Sequence, residues 1–153
     1  MSSTRPSFHS TLPWPSGRNL SAHRRSRWRS AALIAVVLWF SIGGLAHFVF
    51  TDIEARIVPP SLPWPRAIVL VSGAFELLGA AGMVWPRSRR LAAVGLLLLT
   101  VAVTPAHFYM LQHAELFDVP YWALLLRLPL QLGVLAAIAW SGGLLSRDSS
   151  RQG

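Results

Sequence analysis

Four stretches of the chain are nearly unbroken apolar runs: Ala31–Phe50, Ala67–Trp85, Leu91–Met110 and Tyr121–Trp140. Each is about 20 residues long, the length a helix needs to cross a hydrocarbon core of about 30 Å. What separates them reads differently. Residues 1–30 are rich in Ser, Pro and Arg, with no apolar period, and predict a disordered basic tail. The connection after the first run carries Pro59, Pro60, Pro63 and Pro65, too dense a set for regular helix. Its Ile57, Val58, Leu62 and Trp64 suit a membrane interface, so it is either a stiff cap over one end of the bundle or a plain connector. The predicted class is an all-α membrane protein, a four-transmembrane-helix bundle over residues 31–140, with a C-terminal tail over 141–153. A soluble four-helix core would need a charged face on each helix, and none of the four runs has one.

Composition sharpens this picture. Mean hydropathy is +0.46 and 13% of residues are charged, against about 25% in soluble domains. The absence of cysteine excludes disulfide, thiolate, iron–sulfur and Cys-zinc chemistry. The net charge of +8 is not a nucleic-acid footprint, because the arginines follow the connections. Six lie in residues 1–30 with no acid, and Arg87, Arg89 and Arg90 crowd the short link after the second run. The other two connections are net acidic, through Asp52, Glu54, Glu115 and Asp118. The positive-inside rule then puts both termini in the cytoplasm of a multi-pass protein of the bacterial inner membrane. Trp28, Trp85 and Trp140 fall at the inner boundary, and Trp64, Tyr121 and Trp122 at the outer one. Arg24-Arg25 before an apolar run fits ordinary positive-inside charge, and the run itself an uncleaved anchor.

Against this background the polar residues inside the runs stand out. A charge at the centre of a membrane helix costs roughly 2.5–3.5 kcal/mol on insertion scales, yet the second run contains Glu76 and the fourth Arg127. At about 1.5 Å per residue they lie roughly 14 Å and 11 Å from the outer surface. His47 and His107 are nearer that surface, Thr104 comes between, and Gln131 is deeper. Thr100, Thr104 and His107 share one helix face at i, i+4 and i+7, as do Arg127 and Gln131 at i and i+4, and Gly43 and His47. Two accounts fit: a buried Glu76–Arg127 ion pair that sets helix register, or a polar pocket formed by His47, Glu76, Thr104, His107, Arg127 and Gln131. Two His with Glu76 suggest metal ligation only weakly, because no HxxxH or ExxH spacing is present. Pro105 and Pro129 each remove a helical N–H inside a run, and Gly73, Gly79 and Gly82 allow close helix approach.

The pieces GLAHF (Gly44–Phe48), IVPPSLPWP (Ile57–Pro65), SGAFELLGAAG (Ser72–Gly82) and RLPLQ (Arg127–Gln131), in this order, resemble the DoxX family of small bacterial four-helix membrane proteins. The resemblance covers roughly residues 31–140. It implies a four-helix bundle and, through a DoxD-like branch, an association with thiosulfate:quinone oxidoreduction. Two positions depart from the family pattern: Ala46 stands where many relatives have Asn, and His107 where an amide is usual. The expected function is a quinone- or small-molecule-binding subunit of a membrane redox system. Arg127 and Gln131 would hold a carbonyl or anionic head group, and Glu76 or His107 would take up a proton. Catalytic residues, as such, are not assigned. Expected associations are the bilayer, a membrane or periplasmic redox protein and a homo-oligomer, with quinone the one candidate cofactor. The alternatives are a non-enzymatic scaffold whose Glu–Arg pair is structural, and a small-solute or proton permease, for which no inverted repeat is evident.

Overall fold

The computed structural model describes residues 18–145, with side chains from residue 23 onward. The described chain is helical without strands: α1 (Arg18–Val49), α2 (Thr51–Ala55), α3 (Pro65–Val84), α4 (Arg89–Ala102), α5 (Thr104–Gln112) and α6 (Tyr121–Ser141), with a 3-10 turn at Ala114–Leu116. Four helical stretches are long and apolar enough to cross a membrane: His23–Val49, Pro65–Val84, Arg89–Gln112 and Tyr121–Ser141. They coincide with the four expected runs. The outer surface of the bundle is paved with large apolar side chains, among them Ile42, Phe75, Leu78, Leu98 and Leu132. Such an apolar exterior is compatible with a membrane-spanning helical bundle.

One expectation changes at the N-terminal end. The helix begins at Arg18, so the later part of the tail predicted as disordered is regular helix. No Gly or Pro occurs between Arg18 and Ile42, and a nucleated helix propagates until something stops it. The rest of the predicted tail, residues 1–17, and residues 146–153 lie outside the described residues.

Contacts across the bundle set the direction of each helix. Gly44 approaches Gly73, a Cβ on Gly82 would meet Ala92, and Gln131 bonds to Thr100 and Thr104 while Arg127 reaches Met110. Successive spans therefore alternate in direction. The ring runs α1, α3, α4, α6 and back to α1, with α3 and α6 diagonal to each other. One end of the bundle, here the tail end, holds the start of α1 and the α3–α4 and α6 termini. The other, the loop end, holds α2, the proline-rich connection, α5 and the 3-10 turn.

The core sits toward the tail end. Val36, Phe40, Ala80, Met83, Ala93, Leu96 and Ile138 form one buried cluster. Small residues let the backbones close around it. A Cβ on Gly44 would come within 3.0 Å of the Gly73 carbonyl oxygen, so α1 and α3 could not meet with any larger residue there. In lipid such close packing replaces the hydrophobic drive that water supplies.

The two internal prolines act differently. At Pro105 the third span breaks, with Val103 between α4 and α5. At Pro129 the helix runs on unbroken from Tyr121 to Ser141. The proline-rich connection is neither irregular throughout nor a plain connector. It opens with the short α2, in which Thr51 Oγ1 donates to the His47 carbonyl at 2.6 Å. Its Ile57, Val58, Pro59 and Leu62 then fold over the loop end and line a cavity.

Candidate functional site

The break before Pro105 organises the first polar cluster. Gln131, buried on α6, donates from Nε2 to the Thr100 carbonyl at 2.8 Å and to Thr104 Oγ1 at 2.7 Å. Thr104 Oγ1 in turn donates to the same carbonyl at 3.2 Å. With its nitrogen on two acceptors, the Gln131 amide must present its oxygen to His107, whose Nδ1 lies 2.8 Å from Oε1. That oxygen can only accept, so His107 carries its proton on Nδ1, and the Nε2 of a neutral ring keeps a lone pair. Among the described residues no buried side-chain nitrogen or oxygen lacks a hydrogen-bond partner, and Nε2 has none, so it must reach open space. His107 lines both cavities described below.

A second cluster forms on the facing side of the loop end. His47 on α1 stands between two carboxylates, with Nδ1 against Glu54 and Nε2 3.4 Å from Glu76 Oε1. Gly43, one turn back, makes room for Glu76: a Cβ there would sit 2.8 Å from its Oε2. The imidazole thus joins a partly exposed acid on α2 to a mostly buried one on α3, with side-chain exposures of 21% and 13%. A ring in this position can take a proton at one nitrogen and release one at the other.

The expected Glu76–Arg127 ion pair does not form. Glu76 is engaged by His47, and Arg127 Nη1 donates to Met110 Sδ at 2.9 Å. The reason is topological: their helices, α3 and α6, lie diagonally across the bundle rather than packed together. The two charges instead face common space. A cavity of about 340 Å³ is lined by Trp39, Phe40, Glu76, Thr100, His107 and Arg127 and continues along α6 past Leu130, Gln131 and Val134. A second, of about 220 Å³, lies under the proline-rich cap with His47 and Glu54 in its wall. Glu76, Val103, His107 and Arg127 line both, so they form the partition between the two.

Five of the six expected site residues line these cavities, and Thr104 touches them only through its hydrogen bond from Gln131; the six fall in two hydrogen-bonded groups rather than one. Thr104, His107 and Gln131 belong to the first, and His47 and Glu76 to the second, with Arg127 on the wall between the cavities. Glu54 went unrecognised in the sequence, where it counted as loop charge. Its signal was spacing: it follows His47 by seven residues, the same helical face once α2 nearly continues α1. Among the described residues, no group of three or more His, Cys, Asp or Glu side chains could hold a metal ion.

A family model described as Domain of unknown function (DUF8561) matches residues 34–142. The chain belongs to this family. The match takes in the whole of the site, from Trp39 and His47 to Gln131, and leaves out the helical extension before residue 34. No curated protein and no solved structure matches the chain. The family description carries no activity, so function rests on the chemistry of the two clusters.

Proposed function

We propose that this DUF8561 chain is a multi-pass protein of the bacterial inner membrane, with both termini cytoplasmic, that binds a quinone-class or similar small molecule as part of a membrane redox system. The observation that carries this reading is the 340 Å³ cavity, where Glu76, His107, Arg127 and Gln131 meet walls that are otherwise largely apolar. Ligand sites typically occupy about 300–1,000 Å³ and combine apolar walls with a few polar groups. Arg127 supplies donors for a carbonyl or anionic oxygen, and Gln131, whose two amide hydrogens go to Thr100 and Thr104, holds His107 in place. His107 Nε2 and Glu76 supply acceptors, and the Glu76–His47–Glu54 chain offers a proton route to the loop end. No residue here carries electrons, so the ligand and a partner protein exchange them. The resemblance to the DoxX family points the same way.

Detergent-purified protein is expected to retain stoichiometric quinone, and Glu76→Gln and Arg127→Ala to lose most of it. Quinone content unchanged by either substitution would overturn the reading.

A structural role is favoured by one observation: His47 and Glu76 tie α1 to α3 across their closest contact. A double-mutant cycle of His47→Ala and Glu76→Ala is expected to give a coupling of about 0.5–3 kcal/mol in thermal unfolding. If that coupling comes with no change in quinone content, the scaffold role replaces the binding role.

A further inference from the structure

Tryptophans of membrane proteins gather at the interfaces, and Trp28, Trp64, Trp85, Trp122 and Trp140 stand close to the ends of the apolar runs. Trp39 does not. It lies near the middle of the run Ala31–Phe50, at the depth of the buried core residue Phe40. Its side chain is not packed away: Trp39 is 51% exposed, and Leu130, halfway along α6, is 46% exposed. Both line the 340 Å³ cavity, whose deeper wall is formed by Phe40, Thr100 and Gln131, all buried. A cavity bordered by one buried and one half-exposed set of residues is open on the half-exposed side. Its mouth therefore faces outward between α1 and α6, at mid-depth of the spans.

The lining has a direction as well. Glu76, His107 and Arg127 stand at the partition with the second cavity, while Leu130 and Val134 extend the other way along α6. A ligand that fits this gradient has a flat polar head and an apolar chain. We infer that the ligand is a bilayer-resident amphiphile, a ring-headed molecule with a long isoprenoid-like chain, that enters sideways between Trp39 and Leu130. Its ring lies beside the Trp39 indole, its oxygens face Arg127, and its chain stays in the lipid. The inference rests on the quinone-class reading above and adds the route and the ligand's anchoring chain. The competing route is for a water-soluble ligand to come through the second cavity, past Leu62 and the proline-rich cap.

The test is quinone binding by the full chain in lipid nanodiscs, with a long-chain quinone and a chain-free one as probes. Leu130→Trp narrows the mouth between α1 and α6, and Val134→Phe fills the same cavity from a second position in case the first variant fails to fold. Leu62→Trp fills the second cavity. Both variants of the first cavity are expected to weaken long-chain quinone at least tenfold more than Leu62→Trp does, with the chain-free probe less affected. If Leu62→Trp weakens binding and the other two do not, entry is from the loop end and the lateral route is wrong, while the binding function stands. Equal weakening by all three would likewise remove the lateral route. Wild-type protein that binds neither quinone would overturn the route and the proposed function together.

Discussion

The two ends of this bundle solve different problems with the same four helices. At the tail end, glycines and alanines let α1, α3, α4 and α6 close on Val36, Met83, Leu96 and Ile138, and its buried Ser141 hydroxyl is satisfied by its own helix at 2.6 Å. At the loop end the same helices stand apart. α1 and α3 remain paired through Gly44 and Gly73, α5 pairs with α6, and cavities separate the two pairs. Side-chain hydrogen bonds join elements there: Gln131 to Thr100 and Thr104, His107 to Gln131, His47 to Glu54 and Glu76. These bonds run within each side of the gap and none crosses it, so the groups that line the cavities are held by their own side. Close packing is given up at this end and the gap it leaves is lined with polar groups, the feature on which the proposed binding rests.

Substitutions at the two ends should therefore fail in different ways. The largest effect is expected from Leu96→Ala, which empties part of the closed core: about 2–5 kcal/mol of stability lost in thermal unfolding, with ligand affinity per folded molecule unchanged. An equal loss of affinity would mean the ends are not independent. Gln131→Leu comes next. It keeps the approximate volume but leaves the Thr100 carbonyl, Thr104 and His107 without their shared partner. It is expected to cost about 1–3 kcal/mol and, unlike Leu96→Ala, to lower quinone content as well. The smallest effect belongs to Asp52→Asn. Asp52 and Arg66 lie 2.5 Å apart, but their side chains are 70% and 72% exposed. An exposed pair of this kind contributes about 0–1 kcal/mol, so polarity at the loop end matters only where it lines the cavities. A large loss with Asp52→Asn would blur that distinction.

Much of the fold was legible beforehand. Four apolar runs give four spans because a segment of that length and composition has few alternatives. The i, i+4, i+7 spacing of Thr100, Thr104 and His107 placed them together because local helix geometry survives even a proline break. The Glu76–Arg127 pair was not to be had from the same kind of reasoning. Opposite charges at matched depth suggest a pair, but depth is one coordinate, and position around the ring is another that a single sequence does not carry. Glu54 was overlooked for the complementary reason: a residue in a connection gains its meaning from how the connection folds back.

From its own residues, then, the chain determined the number, approximate length and apolar character of its helices, and the order of the polar side chains along each of them. These follow from properties that act along the chain, helix rise and hydropathy, whereas Pro105 and Pro129 looked alike and only the first breaks its helix. Tertiary structure alone decided that α3 and α6 stand diagonally, that His47 rather than Arg127 meets Glu76, and that Trp39 borders a cavity. Those depend on which faces of the helices meet, and that choice is made by close contacts such as Gly44 on Gly73, where two backbones far apart in sequence fit each other.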